Sequence, residues 1–401
     1  MRTLARQHWS IALTCLVFLV FALNFNAYRV FGDGTIEFGF VRKLFGEHVD
    51  ALAYQFGTAL LNAPLYGLGK VASAAGLGDI QGNPVGPATV SLSSNLYALG
   101  AVLLTAVLLT KLRLPRRGLV LIAALFGTPL FYYAVFSPAY SHATDTFLVT
   151  LAVACVYRQL LCEVSEWWWA AAAGGLLGFA ATVRYLNAAQ ALALAVALAM
   201  LRYPRAAVAA AGSAIATFGL LLLIPIGLGV PFFTKSLTLQ RAAFSPLSPF
   251  KMLFSNERGL FVWSPVAVLA LVGYVHLVRT RRGAERRFLV VAGAMGAALV
   301  VSYGAWPDWA GGWSFSQRFL TSLFPLIAIG IGGAFERWKT SVVVLACLAT
   351  LWSVFLGFNH VFGAQQSDGA AQIAAKIANG QRPPHAFFEL LRAYSRLKYL
   401  L

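Results

Sequence analysis

Charged and polar groups able to do chemistry are few in this chain and fall in clusters. The first is Phe31-Gly32-Asp33-Gly34-Thr35-Ile36-Glu37. Glycines leave the Asp33 carboxylate approachable, and Glu37, four residues on, can share a helical face with it. That pattern suits a general base; it equally suits an aspartate that caps a helix through the Thr35 or Ile36 amide. The second is Ser137-Pro138-Ala139-Tyr140-Ser141-His142-Ala143-Thr144-Asp145. His142 and Asp145 are three apart, so both project toward one cleft or bond each other internally. In the third, Val183-Arg184-Tyr185-Leu186-Asn187, a guanidinium sits between two apolar stretches. It can take a phosphate bidentately or reach for lipid head groups. The fourth, WPDWAGGWSFSQRF, sets Trp306, Trp309 and Trp313 beside Asp308, a Gly311-Gly312 pair and Arg318. Tryptophan faces stack on sugar rings and Arg318 adds a cation, although an interfacial aromatic belt would also use tryptophans. A fifth, Phe254-Ser255-Asn256-Glu257-Arg258-Gly259, brings Glu257 and Arg258 to the same cleft or to each other.

Apolar elements must position these clusters. The chain has 401 residues, 59% hydrophobic and only 11% charged, with a mean hydropathy of +0.72. Soluble domains carry roughly 25% charged residues. Apolar runs of about 20 residues, the length that crosses a hydrocarbon core, exclude a soluble core, disorder and a coiled coil; their continuity excludes a membrane β-barrel. The expected fold is an all-α polytopic membrane protein with about eleven spans: 9–27, 89–110, 118–136, 141–157, 167–183, 185–201, 206–230, 260–278, 288–305, 318–335 and 341–358. The first is read as an uncleaved anchor, because Asn24, Asn26 and Tyr28 follow it where a signal peptide needs small residues. Residues 57–77, interrupted by Asn62, Pro64 and Lys70, suit an interfacial helix rather than a span.

The net charge of +17 does not call for a nucleic acid in such a chain. Basic loops at 111–117, 202–205 and 279–287 fall on one side, which should be cytoplasmic, as should the N-terminus. Most acids fall on the other side, where the long segments 28–88, 231–259, 306–317 and 359–401 also lie. The expected organisation is therefore a transmembrane module, 1–358, with 28–88 as a long first extracytoplasmic loop, and a tail, 359–401, whose stretch from His385 could form an amphipathic helix. Of the cysteines, Cys15, Cys155 and Cys347 fall in spans and Cys162 in a cytoplasmic loop, so no disulfide is expected. Phosphate-binding glycine motifs are absent, which argues against a cytoplasmic nucleotide engine. Two carboxylates, Asp33 and Glu37, are too few to call for a divalent metal, and no cofactor is expected.

The chain resembles the polytopic GT-C glycosyltransferases that use polyprenyl-phosphate sugars, among them protein O-mannosyltransferases and the aminoarabinose transferase of lipid A. The similar features are Asp33 after the first span, Tyr54-Gln55-Phe56-Gly57 and Ala63-Pro64-Leu65-Tyr66 in the long loop, FGTPLFYYAVFSPAYSHA, Arg184 after the fifth span, NERGLFVWSP and WPDWAGGWSFSQRFL. They extend over roughly 10–335. The resemblance implies a multi-pass protein of the bacterial cytoplasmic membrane with an extracytoplasmic active site. Its donor would be a polyprenyl-phosphate-linked sugar and its acceptor an envelope glycan, lipid or protein.

Carried onto this chain, the resemblance makes Asp33 the catalytic base and Arg42, Lys43, Arg184, Arg258 and Arg318 candidates for the carrier phosphate. Glu37, His142, Asp145, Trp306, Asp308 and Trp309 would form the acceptor or sugar pocket. The acceptor hydroxyl would attack with inversion while the polyprenyl phosphate leaves. Two departures stand out: Asp33 is followed by Gly34 rather than a second acid, and Gln55 stands where the aminoarabinose enzyme has a basic residue. A transporter or flippase of a lipid-linked or anionic solute, and a non-catalytic envelope subunit, are the competing readings.

Overall fold

The computed structural model describes residues 2–26, 28–49, 55–161, 167–230, 248–306, 308–312, 314–362 and 368–379. Tyr54, Cys162, Glu163, Glu166, Pro307, Trp313, most of the 231–259 loop and the tail from His385 lie outside them. The described part is helical throughout, apart from a two-residue antiparallel ribbon that pairs Asp79–Ile80 with Asn83–Pro84.

Helix α1 (Arg2–Phe25) leads to two short helices in the first long loop, α2 (Asp33–Leu44) and α3 (Gly57–Ala74). Then come α4 (Val85–Lys111), α5 (Arg117–Phe126), α6 (Pro129–Val135), α7 (Ser141–Leu161), α8 (Trp168–Val183), α9 (Ala188–Met200) and α10 (Pro204–Gly227). The rest is α11 (Ser248–Phe254), α12 (Leu260–Trp263), α13 (Val266–Thr280), α14 (Gly283–Gly304), α15 (Phe324–Phe362) and α16 (Ala370–Ala378), with 3-10 turns at Tyr185–Asn187 and Arg318–Leu323.

Among the described residues, six helices are long and apolar enough to cross a membrane, or seven with the bent pair α5 and α6. The protein is a multi-pass membrane protein. Four shorter apolar helices, Trp9–Phe25, Trp168–Val183, Tyr185–Met200 and Val266–Thr280, occupy the other expected spans; a total of eleven would need all four to cross as well. Helix α3 is not among those apolar enough to cross.

Two expectations need refinement. The span expected at 118–136 is broken by 69° between α5 and α6. Pro129 opens α6, so no amide is available to continue α5. The Gly127 carbonyl at the break accepts from Ser353 Oγ at 3.1 Å, which satisfies it without water. The helical run α15 doubles back on itself. Gly330 lies against Ala270, and Arg281 pairs with Glu336 just beyond the end of α13; Trp352 and Ser353 then bond Val262 and Trp263 in α12, just before α13 begins. Residues 318–338 and 341–361 therefore act as two spans.

Small residues let the helices approach. Side chains added at Gly174 and Gly178, one turn apart on α8, would strike the α10 carbonyls of Ala210 and Ala214. In lipid, where apolar side chains gain little by leaving the solvent, such close backbone contact drives association. Buried amides supply the other adhesive. Asn26 donates to Asn95 Oδ1 at 2.6 Å and accepts from Ser91 at 2.6 Å; Asn95 donates to the Ala134 carbonyl at 2.7 Å. Ser94 accepts from the Ala139 amide at 2.8 Å. This network fastens the end of α1 and the α6–α7 turn to α4. It fixes where Asp33 and Tyr140 must lie.

Candidate active site

Asp33 is the first residue of α2, and Gly32 before it caps the helix with no side-chain bond. The Asp33 carboxylate is thus not the cap that local spacing also allowed. It accepts from Arg318 Nη1 at 2.7 Å, across 285 residues of sequence. Gly32 has a left-handed φ of +57°, and a Cβ there would collide with the Tyr140 hydroxyl. Only glycine lets the chain turn into α2 this close to the α6–α7 turn. Gly311, at φ +67°, likewise leaves room for the Arg318 side chain.

Two cavities share Asp33, Tyr140 and Arg318 in their walls. The first, of about 220 Å³, adds Gln55, Ser141, His142, Arg184, Tyr185, Leu186, Tyr303, Trp306, Asp308 and Phe319. Arg184, buried, lies over the rings of Tyr303 and Phe319, 5.0 and 4.9 Å from their centroids, and those rings stack at 4.8 Å. It meets His142 Nδ1 at 2.7 Å and donates to the Arg318 carbonyl at 3.3 Å. An arginine N–H can only donate, so Nδ1 is the acceptor and the imidazole is neutral. Two guanidinium groups therefore face one small cavity together with two carboxylates, Asp33, which pairs with Arg318, and Asp308, which accepts from the Gly312 amide at 3.2 Å. The second cavity, of about 730 Å³, is walled by Phe31, Gly32, Tyr132, Tyr133, Ser137, Gly311, Gly312, Ser314, Phe315 and His360. Its surface is aromatic and hydroxyl-rich.

The sequence-derived candidates divide. Asp33, His142, Arg184, Trp306, Asp308 and Arg318 meet at the first cavity. The other six do not line it. Arg42 bonds Glu47 at 2.7 Å at the far end of α2, with Lys43 beside it in sequence. A separation of five residues lets that pair close locally, so Arg42 is already neutralised away from the cavity. Arg258 is buried and donates to the Glu257 and Asp368 carbonyls, at 2.7 and 3.0 Å, which ties the loop before α12 to the segment before α16. Asp145 does not pair with His142. It accepts from Asn187, so the first turn of α7 grips the α8–α9 turn twice, through His142–Arg184 and Asp145–Asn187. Trp309 packs against the core and its carbonyl accepts from Gln317 at 3.1 Å.

Glu37 is fully buried beside Thr58 and Ser141, behind the cavity wall. Burial, reinforced by Asp33, raises its carboxyl well above the usual carboxylate range. Residues the sequence reasoning missed are Tyr140, Tyr303, Phe319 and His360. Tyr140 and Phe319 lay inside motifs already singled out; Tyr303 and His360 carried no local signal, being aromatics of membrane helices.

No family model matches the chain, and no curated protein matches it. Among solved structures it is similar to ArnT from Cupriavidus metallidurans bound to undecaprenyl phosphate, at a TM-score of 0.59 and 15% identity. The match covers 88% of this chain. The chain has the GT-C fold. It spans 66% of the length of the ArnT chain. The GT-C architecture is thus the one the Asp33, SPAYSHA and WPDWAGG motifs led us to expect.

Proposed function

We propose that this GT-C protein is a glycosyltransferase that moves a sugar from a polyprenyl-phosphate carrier to a hydroxyl of an envelope glycan, lipid or protein, at the extracytoplasmic face of a bacterial cytoplasmic membrane. The observation that carries the reading is the Asp33–Arg318 pair in the wall common to two cavities. A transfer between two substrates needs them to meet at a base, and a wall open to both sides provides that. The undecaprenyl phosphate bound by the ArnT neighbour supports the donor class.

In this reading the carrier phosphate enters the cavity of Arg184 and Arg318, and the sugar lies toward Trp306 and Asp308. The acceptor hydroxyl comes through the second cavity. The phosphate draws Arg318 away from Asp33, so donor binding itself frees the base. Asp33 takes the acceptor proton, the acceptor oxygen bonds the anomeric carbon from the opposite face, and the carrier phosphate leaves with the bonding electron pair. The arginines stabilise the charge that develops on it. Arg184 is well suited, because its aromatic seat and His142 hold the guanidinium in place before the charge appears.

The test is release of polyprenyl phosphate from a panel of polyprenyl-phosphate sugars by the purified protein in nanodiscs, with and without envelope lipids as acceptors. Release that Asp33→Asn abolishes supports the reading. Transport of an intact lipid-linked sugar, with no release from any donor, would replace it with the flippase reading.

A further inference from the structure

At the opposite end of the bundle, two basic loops that are 74 residues or more apart in sequence close around a cavity of about 580 Å³. Gln159, Trp167, Arg202, Tyr203, Arg205 and Arg287 line it. Seventeen helical residues of α7 separate His142 from Gln159, about 25 Å at 1.5 Å per residue, so this cavity and the active-site cavities sit at opposite ends of one membrane helix.

Three features give it the character of an anion site. First, three guanidinium groups converge. Arg287 lies 5.7 Å from the Tyr203 ring centroid, and Arg202 and Arg205 flank that tyrosine. Second, among the described residues no carboxylate pairs with any of the three, and Glu285 and Glu336 both pair with Arg281. Third, the first turns of α10 and α14 line the cavity through Pro204, Arg205 and Ala284, which adds the positive ends of two long helices.

We infer that this cavity binds a phosphate group carried by a membrane lipid. Phosphate matches the charge: three cations and two helix ends exceed what a carboxylate calls for, and forked guanidinium groups take phosphate oxygens in pairs. The surroundings favour a lipid-borne phosphate over a free one. Trp167 is 40% exposed at the rim, and Met200 and Val208, either side of the arginine turn, are 80% and 73% exposed. Acyl or prenyl chains can lie along these apolar faces while the head group sits among the arginines, with tryptophan and tyrosine at the level where such rings prefer to be. The inference does not depend on the proposed transferase activity.

Native mass spectrometry of the full chain tests it, with dioleoyl phosphatidic acid, dioleoyl phosphatidylglycerol and dioleoyl phosphatidylcholine offered in turn. Phosphatidic acid and phosphatidylglycerol should be retained in preference to phosphatidylcholine. R202Q/R205Q/R287Q should weaken that retention about 10-fold or more, the loss expected when charge-assisted bonds are removed. R279Q/R282Q/R286Q, with the same charge removed outside the cavity, should stay within about 2-fold. The single variants R202Q, R205Q and R287Q, each with a smaller loss, serve if the triple variant does not fold. Retention unchanged in the cavity variants, as it would be if Glu163 and Glu166 neutralise the arginines, overturns the inference; so does an equal loss in the control. Displacement of the lipid by millimolar inorganic phosphate would reassign the site to a free phosphate.

Discussion

Two carboxylate–arginine contacts of 2.7 Å occur on the same short helix, and they differ in everything but length. Asp33, at the start of α2, pairs with Arg318 from the other end of the chain, inside a wall shared by two cavities. Glu47, just beyond the end of α2, pairs with Arg42 five residues away, takes Lys70 at 3.0 Å and accepts from the Tyr66 hydroxyl at 2.5 Å. The Glu47 cluster is saturated: four groups satisfy one another, and none of them lines either of the two cavities at Asp33. The Asp33 pair is a bridge that a ligand can open, because both partners reach space that a substrate can occupy. Bond geometry alone would not distinguish a stabilising ion pair from a reactive one. What each partner can exchange it for does.

That contrast is open to direct attack. The largest effect is expected at Asp33. Asp33→Asn keeps the size of the side chain and removes the proposed base, so transfer should fall by about 10²–10⁴-fold with donor affinity near wild type, measured as polyprenyl-phosphate release alongside donor binding. Loss of folding instead would make Asp33 structural, like Glu47. Next comes Arg318→Ala, which should weaken carrier binding by roughly 10–100-fold, the cost of a charge-assisted contact. An unchanged donor affinity would remove Arg318 from the phosphate site and undo the exchange argument.

Glu37→Gln sharpens the comparison from the same helix. Burial, with Asp33 beside it, raises the Glu37 carboxyl in the fold well above the ordinary value of 4.5 that it has in the unfolded chain. The folded state thus binds the extra proton, and wild-type stability falls as pH rises from about 4.5 toward the elevated folded value. Glutamine mimics the protonated acid, so Glu37→Gln should fold, stay active and gain on wild type as pH rises through that window, read by thermal unfolding across pH. A variant that loses activity at every pH would move Glu37 into the reaction.

The smallest effect is expected at Glu47, whose bonds to Tyr66 and Arg42 lower its carboxyl to about 2. The sign is opposite to that of Glu37: its contribution is complete above 4.5 and fades as pH falls toward 2. Glu47→Gln should cost about 0.5 kcal/mol near neutrality, as partly exposed pairs do, and the difference from wild type should close over that acid range. Transfer activity should not change. An activity loss like that of Asp33→Asn would erase the distinction between the two pairs.

Much of the fold was legible beforehand because the membrane makes it so. A backbone in hydrocarbon must satisfy its own hydrogen bonds, so apolar runs of sufficient length become helices wherever they occur. Each expected span coincides with an apolar helix or helix pair. The α5–α6 break was partly visible in Gly127-Thr128-Pro129, but a proline in a membrane helix can also be absorbed as a kink, and the choice rested on whether Ser353 would satisfy the freed carbonyl. Of the site, Asp33, His142, Arg184, Trp306, Asp308 and Arg318 could be picked from residue type and position. Arg42 and Arg258 were equally good candidates by the same reasoning, since nothing local says whether a guanidinium faces a cavity or its neighbour.

What the sequence determined on its own, then, was composition-driven: a helical membrane protein, the positions of its apolar helices, and a short set of polar residues too costly in lipid to be there without partners. Which of those residues face each other was decided only by packing. Asp33 and Arg318 meet because Asn26, Asn95 and Ser94 lock the first loop against the α6–α7 turn, and because Gly32 and Gly311 leave room for Tyr140 and Arg318. Hydropathy is a property of single positions and survives in a string of letters. A contact across 285 residues depends on every helix between them finding its place, and only the folded chain holds that information.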